Sequence, residues 1–447
     1  MNAIKDFLEW LDDYLNFERN PQKDIFWLDT IDFLCKRFDN PQDYAPCIHV
    51  AGSKGKGSVS KLISCILCEA GYKTGVYSSP HITDFRERIS LADKFLSDKI
   101  YEKTAKELIR TVSSIIPEEL PAGRPVTWFE LVTLYAFLCF KNAKVDWSVY
   151  EVGLGGRLDS TNIIRPKICC ITPIELEHTE FLGDTIEKIA AEKAGIIKNC
   201  TPVVIAPQTS EAAKIVLREK AITRHAPYYF VEDIISDLSA EFDAKEKRMN
   251  VSFNSEIFNR PINAKMKLLG KMQAQNAAMA AITIKKLFPN LDEQIIENGL
   301  SKATLPGRFE ILENIPDYKN IPHLILDGAH TLNSIKLTLE TVEKLFPQTK
   351  INLLFACAAD KDVHDIALEF CKKFNKIWLT KPGSQKQSDL KKARDAFTNA
   401  SLSFECSDDY NAMIKQALEE SAKEKSVLLV TGSFYLLAEV KNLINQA

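Results

Sequence analysis

Residues 48–80 read IHVAGSKGKGSVSKLISCILCEAGYKTGVYSSP, and the order of their parts decides the fold. Ile48-His49-Val50-Ala51 is a short apolar run with strand character. It enters the loop Gly52-Ser53-Lys54-Gly55-Lys56-Gly57-Ser58. Apolar side chains then recur at Val59, Leu62, Ile63, Ile66, Leu67 and Ala70, which is helical spacing, and Gly71 suits a left-handed helix end. Thr74-Gly75-Val76-Tyr77 reads as a second strand. A glycine-rich loop between strand and helix lets backbone N–H groups approach phosphate oxygens, and the helix N-terminus favours negative charge. Lys56 would supply a point charge to terminal phosphates, and Ser58 a hydroxyl for Mg²⁺. One glycine separates Lys56 from Ser58, unlike the common GxxxxGK[ST] pattern. An ordinary strand-to-helix turn is therefore the alternative.

Working outward, the 447 residues suffice for two or three domains with sizeable cores. Hydrophobic content of 45% and charged content of 26% are those of a soluble globular protein. A net charge of −3 gives no reason to expect nucleic-acid binding. The 11 cysteines follow no framework. Cys65 and Cys68 form a CxxC pair inside the apolar helix, which favours core thiols over a redox or metal site. Free thiols suggest a reducing, cytoplasmic setting. The N-terminus is acidic and amphipathic, unlike a signal or transit peptide, and no apolar run is long enough to span a bilayer.

Two helices are expected before residue 47, around a break at Asn20-Pro21. A loop is expected after Pro80, then helices over Ser97 to Ile116 and from Thr127 through Phe140. Strands are expected at Trp147 to Val152, Lys167 to Thr172 and Pro202 to Ala206, with a helix from Ile186 to Ile197. The alternation predicts an α/β fold with a mostly parallel sheet covered by helices on both faces. Between Ala221 and Lys267, short aromatic and β-branched runs predict β-rich excursions. A helix from Gln273 to Leu287 and a linker near Leu305-Pro306-Gly307-Arg308 follow. A second, smaller α/β unit then carries strands at His323 to Leu326, Ile351 to Phe355, Lys376 to Thr380 and Ser426 to Val430.

Ligands of an open α/β sheet sit beyond the carboxyl ends of its strands. Glu151 ends an apolar strand, where an acid is either satisfied by backbone or arginine, or is a Mg²⁺ ligand facing the loop. His178 follows the next strand and is either a surface histidine or a further ligand. Lys193 falls on the apolar stripe Ile186, Ile189, Ala190, Ile197. A lysine there snorkels, pairs, or loses its charge. A neutral amine could add CO₂ and become an anionic carbamate.

Taken together, these stretches resemble the folylpolyglutamate synthase/dihydrofolate synthase family of the Mur-ligase superfamily. The resemblance is carried by HVAGSKGKGS, YSSPHITDFRERI, EVGLGGRLDSTNII, EHTEFLGDTIEKIAAEKAGIIK, GKMQAQNAA, LPGRFE, DGAH, Asp360-Lys361-Asp362 and TGSFYLLAE, from about Leu28 to Glu439. It implies a P-loop-containing Mur-ligase-like unit with the pterin site at residues 1–300 and a Rossmann-like glutamate-ligase unit at 301–447. It implies an ATP- and Mg²⁺-dependent ligase that phosphorylates the carboxylate of dihydropteroate or a reduced folate and joins it to L-glutamate. It further implies that Ser53, Lys54, Gly55, Lys56, Gly57 and Ser58, with Asn276, Arg308, Asp327 and His330, surround ATP. Ser58, Ser79, Glu151 and His178 would hold Mg²⁺. Lys56, Lys193 and His178 would act in catalysis, with Lys193 carbamylated. Thr127, Trp128, Phe129, Glu130, Leu158, Asp159 and Ser160 would line the pterin site. A monomer is implied, with neither nucleic acid nor membrane as partner.

Several positions depart from the family pattern: Lys54 for asparagine, Glu177 for aspartate, Met272 for histidine, Thr331 for asparagine, and no arginine in Trp27-Leu28-Asp29-Thr30. The Gly155 to Asn162 run leans toward a bifunctional enzyme. Chain extension alone, a cell-wall amino-acid ligase of the same superfamily, and a non-catalytic nucleotide-binding protein are the alternatives.

Overall fold

The computed structural model describes residues 2–16, 27–359, 361–383 and 388–446. Asn20-Pro21 and Asp360 lie outside the described residues. The first sheet has seven strands: β1 Cys47–Ala51, β2 Thr74–Tyr77, β3 Ile89–Leu91, β4 Trp147–Glu151, β5 Ile168–Ile171, β6 Val203–Ile205 and β7 Tyr228–Phe230. Their order is β3-β2-β4-β1-β5-β6-β7, and every pairing is parallel except β2 with β3. The expected mostly parallel sheet is what the residues form. Strand alternation explains its two covered faces. Ile48 and Val50 pack with Val59, Leu62 and Ile63 of the helix Lys56–Glu69. Cys47 joins the helix Trp128–Ala143, and Ala51 joins Ile189 and Ala190 of the helix Ile186–Ala194.

The β-rich stretch is an antiparallel sheet of β8 Ser236–Asp243, β9 Arg248–Asn254 and β10 Ile262–Met266, in the order β10-β9-β8. The final sheet holds β11 Glu310–Leu312, β12 Leu324–Asp327, β13 Ile351–Phe355, β14 Ile377–Leu379, β15 Glu405–Cys406 and β16 Val427–Thr431, in the order β11-β12-β16-β13-β14-β15. Only β11 runs antiparallel to its neighbour.

Three details differ from the sequence expectation. The helix from Ile186 stops at Ala194, and the Gly195 that follows passes so close to Arg157 that a Cβ there would sit 2.4 Å from the Arg157 Cα. The loop after Pro80 contains a 3₁₀ turn at Phe85–Arg88, closed by a reciprocal Asp84–Glu87 cap. The helix Glu211–Thr223 carries its buried face as Ala213, Leu217 and Ala221, a stripe of small residues that periodicity alone weights lightly. Cys65 is buried, Cys68 half-buried and neither forms a disulfide, and burial raises both thiol pKa values, as core cysteines require. Among the described residues, no helix is long and apolar enough to cross a membrane.

Two helices fix the phosphate-loop helix in place. Gly299 of the helix Glu293–Lys302 lies against Ile66, where a Cβ would fall 2.5 Å from the Ile66 Cα. A side chain of any size is excluded there. The helix Lys271–Leu287 is tied to its successor by Lys285, whose Nζ donates to Glu293 Oε1 at 2.6 Å and to the Leu291 carbonyl at 2.8 Å. Both side chains of the pair are 5% exposed or less. Glu293 also accepts from the Asn259 amide at 3.1 Å. Burial opposes its ionisation, but Lys285 and Asn259 outweigh that and hold the carboxyl at about 2.

A charge left alone in such a place costs about 3–5 kcal/mol. Glu293→Ala is therefore expected to destabilise the protein by about that much, and Lys285→Met with Glu293→Leu to recover most of it. The pair's contribution is fully present above the ordinary carboxylate pKa of 4.5 and is lost as pH falls toward about 2. Urea unfolding of the wild type and both variants between about pH 7 and about pH 2 checks this; a Glu293→Ala loss matched by the double variant would deny the pair its role.

Candidate active site at the junction of the two units

The carboxyl ends of β1, β4, β5 and β12 converge on one cleft, and the loops leaving them carry the polar groups. The turn after β1 is held by its own geometry. Gly55 takes φ +89°, and a Cβ there would lie 2.8 Å from Asn276 Oδ1. The loop thus packs directly on the helix that carries Asn276, whose Nδ2 donates to Gln273 Oε1 at 2.9 Å. The Ser53 amide donates to the Pro173 carbonyl at 2.9 Å. Ser53 Oγ accepts from the Glu175 amide at 3.0 Å and donates to its carbonyl at 3.2 Å. The segment after β5 therefore acts as a splint for the loop.

Two lysines meet at one oxygen. Lys56 Nζ and Lys193 Nζ each donate to the Gly52 carbonyl at 2.9 Å. Lys193 is 2% exposed, so the snorkelling alternative does not apply. Its third neighbour is Glu177, whose Oε1 accepts from Nζ at 2.9 Å. Burial first, then the charge of Lys56, lowers the Lys193 pKa to about 8. Burial would raise the Glu177 pKa, yet Lys193 and Lys56 hold it at about 2. Glu177 is thus the counter-ion of the lysine pair, a role the sequence reading did not give it.

Glu151 ends β4 and is 5% exposed. Its Oε2 accepts from the Ser79 amide at 3.4 Å, and a Cβ on Gly57 would also lie 3.4 Å from that oxygen. Burial raises its pKa, while Lys56 and Arg308 act to lower it. The carboxylate is desolvated, faces the phosphate loop and, among the described residues, takes one long hydrogen bond from the backbone. These are features of a hard-cation ligand. Among the described residues, no three His, Cys, Asp or Glu side chains gather closely enough to hold a metal alone. A Mg²⁺ beside Glu151 would draw its other ligands from hydroxyls such as Ser58 and Ser79, from phosphate oxygens and from water, as this ion commonly does. His178 stands exposed next to Glu177 in a left-handed conformation with φ +48°.

The second unit faces this centre. Arg308 lies between the two units, close enough to Asp327 and Glu151 for both carboxylates to stabilise its charge, and its guanidinium carbon is 4.4 Å from the Phe434 ring centroid. Asp327 accepts from the Ala329 amide at 3.1 Å and from Thr338 Oγ1 at 3.0 Å, while burial raises its pKa to about 6. His330 Nδ1 donates to the Gly328 carbonyl at 2.7 Å, and burial pushes its pKa down to about 4. That leaves a neutral ring with Nε2 as acceptor. Lys54 shares this region with Glu177, Glu175, Lys56 and Arg308. Asn333 Nδ2 reaches Glu175 Oε1 at 3.4 Å across the cleft.

The residues expected to line a pterin site form the adjoining wall, but several are already engaged. Thr127 caps its helix by accepting from the Glu130 amide at 3.3 Å and donates to Glu130 Oε2 at 2.8 Å. Glu130 is buried, and burial raises its pKa to about 7. Asp159 accepts from the Gly153 and Leu154 amides at 3.0 Å each and from the Thr161 amide and hydroxyl, so it shapes the glycine-rich loop after β4. Thr161 in turn meets buried His49 Nε2 at 2.8 Å. Trp128 and Ser160 are buried, whereas Phe129 and Leu158 are partly open.

The Mur ligase middle domain family matches residues 50–284, and the family described as Mur ligase, glutamate ligase domain matches residues 307–434. The dihydrofolate synthase/folylpolyglutamate synthase of Bacillus subtilis (strain 168) is 30% identical over 444 residues, covering 98% of each chain. The crystal structure of folylpolyglutamate synthase from Thermotoga maritima superposes with a TM-score of 0.81 at 28% identity, over 99% of this chain and 97% of that one. Folylpolyglutamate synthase of Mycobacterium tuberculosis, solved with ADP and AMPPCP, superposes with a TM-score of 0.85 at 25% identity, over 100% and 99% of the two chains. Two Mur-ligase units in the right order, and full-length likeness in sequence and structure, place this chain in the dihydrofolate synthase/folylpolyglutamate synthase family of Mur ligases.

Proposed function

We propose that this chain is an ATP-dependent ligase that joins the amino group of L-glutamate to the carboxylate of dihydropteroate and of reduced folates. The observation that carries the mechanism is the pair of lysines on the Gly52 carbonyl beside a desolvated Glu151. A centre rich in cations with a buried carboxylate opposite suits a polyphosphate and its divalent ion. Relatives of the same length are named for both activities, which supports the bifunctional reading over chain extension alone.

A carboxylate is a poor electrophile, and phosphorylation gives it a leaving group. The acceptor oxygen attacks the γ-phosphoryl group of ATP, forming an acyl phosphate and ADP. The glutamate amine then attacks the acyl carbon and phosphate departs. Lys56 and the amides of Gly55–Ser58 would offset the charge on the transferring phosphoryl group, those of Ser53 and Lys54 being held by the Pro173 carbonyl. Glu151, Ser58, Ser79 and His178 would hold Mg²⁺, which neutralises phosphate charge. Asn276, Arg308, Asp327 and His330 would enclose the nucleotide from the far side, so that the acyl phosphate is shielded from water. The pterin would rest against Phe129 and Leu158. The nucleotide-binding unit would span residues 1–300 and the glutamate-ligase unit 301–447, acting as a monomer.

Lys193 would act as its carbamate. After loss of one proton, the amine adds CO₂ and releases a second proton, leaving an N-carboxylate. Such an anion beside Lys56 would give a further oxygen ligand at the phosphate centre.

Three outcomes are expected. Purified protein with Mg²⁺, ATP and L-glutamate should release ADP and add one glutamate mass to dihydropteroate and to tetrahydrofolate; gain on tetrahydrofolate alone would mean chain extension only. Lys193→Ala should lower ligation by about 10²-fold or more while leaving the circular dichroism unchanged, with partial rescue by added small carboxylates. Near-normal turnover would remove the carbamate. Glu151→Ala should raise the Mg²⁺ needed for half-maximal rate by about tenfold or more, and an unchanged Mg²⁺ response would take Glu151 out of the metal site.

A further inference from the structure

The central strand β1 carries a histidine among apolar residues. His49 sits between Tyr150 of β4 and Cys169 of β5 and is fully buried, while Cys47, Ile48, Val50 and Ala51 fill the rest of the strand. Among the described residues, its Nδ1 has no hydrogen-bond partner. A bare ring nitrogen in a core costs stability, so packing alone favours an apolar side chain at this position. What the histidine supplies is its other nitrogen.

That nitrogen begins a chain of polar groups. His49 Nε2 meets Thr161 Oγ1 at 2.8 Å. The Thr161 hydroxyl donates to Asp159 Oδ1, which also accepts from the Thr161 amide at 3.0 Å. Asp159 Oδ2 accepts from the Gly153 and Leu154 amides at 3.0 Å each. A hydroxyl has one proton, and here the carboxylate claims it. Thr161 Oγ1 therefore accepts from His49, whose Nε2 carries the ring's proton. A doubly protonated ring would bury an unpartnered N–H and a charge, so the imidazole is neutral.

The chain ends on the loop that leaves Glu151. At its start, Gly153 lies so close to the Phe129 ring that a Cβ would collide with it. Farther on, a Cβ on Gly156 would lie 2.8 Å from the Glu192 carbonyl oxygen and 3.1 Å from Lys193 Cα. The Arg157 amide donates to that same carbonyl at 2.8 Å. One short loop thus spaces Phe129, Glu151 and Lys193, and the Asp159 carboxylate fastens it. A threonine side chain has three staggered rotamers, and a donor at His49 Nε2 favours the one aimed at Asp159.

We propose that His49 is a positioning residue for ligation: through Thr161 it orients Asp159, and so sets the loop that seats Phe129 against the acceptor substrate. This inference rests on the ligase reading above, in which Phe129 meets the acceptor's ring system.

The test compares His49→Met, which removes the donor, with His49→Gln, which has a similar shape and keeps an N–H. Steady-state kinetics use dihydropteroate or tetrahydrofolate with ATP, Mg²⁺ and L-glutamate. His49→Met is expected to raise the acceptor KM about three- to tenfold, with the KM of ATP within about twofold, and His49→Gln to recover most of the loss. Thr161→Val should give a similar rise, and adding His49→Met to it should change the acceptor KM little further, because both act through one chain. An active wild type with an unchanged acceptor KM in His49→Met would overturn the proposal alone. So would equal losses in the Met and Gln variants, or losses that multiply in the double variant. An inactive wild type would overturn the ligase reading and the proposal with it. Imidazole ¹⁵N NMR of the wild type, which needs no variant to fold, should show His49 protonated at Nε2 and bare at Nδ1; the reverse tautomer would break the chain and sink the proposal.

Discussion

Two ammonium groups share the Gly52 carbonyl, and much of the site follows from that crowding. Lys56 and Lys193 each lie 2.9 Å from one oxygen, so they are no farther apart than twice that distance. At an effective dielectric of about 20, their repulsion is about 3 kcal/mol or more. Glu177 offsets one charge and leaves the other for a ligand. The chain tolerates this arrangement only because the loop is held from outside. Pro173 and Glu175 splint it on one side, and Asn276 closes against Gly55 on the other. Crowded positive charge of this kind is typical of sites built for polyanions.

The parallel sheet is what gathers these groups. β1, β4 and β5 lie side by side, so the loops leaving their carboxyl ends share one rim. β12 of the final sheet delivers Asp327 to the opposite side of the cleft. Arg308 sits in the short connection between the two units and feels carboxylates from both. The nucleotide would therefore become part of the interface, with binding energy drawn from two rigid bodies.

Some of this was legible in the sequence because it is local. The strand, glycine loop and helix at 48–71 are signalled by spacing within twenty-odd residues. Lys193 was legible for the same reason: a cation on an apolar helical stripe is out of place unless something receives it. The receiver was not legible. Glu177 is separated from Lys193 by the short helix Thr179–Leu182 and most of the helix Ile186–Ala194, and the sequence marks it only as a substitute for an aspartate, with nothing that links it to Lys193. Gly52 lies 141 positions from Lys193, and no periodicity connects them. Thr127, Glu130 and Asp159 illustrate the opposite case. Their types suit substrate binding, but backbone amides left over at a helix start and in a glycine loop already claim their oxygens. Which polar group is left to a substrate depends on the hydrogen bonds the fold has already made, and that is a three-dimensional fact.

At the heart of the proposed mechanism, this cationic centre drives formation of an acyl phosphate on the acceptor carboxylate. Turnover of dihydropteroate labelled with ¹⁸O in its carboxylate tests that step directly. One labelled oxygen is expected to pass into inorganic phosphate for each glutamate joined, with ADP as the nucleotide product. Label found in AMP, or ligation with no label in phosphate, would contradict it.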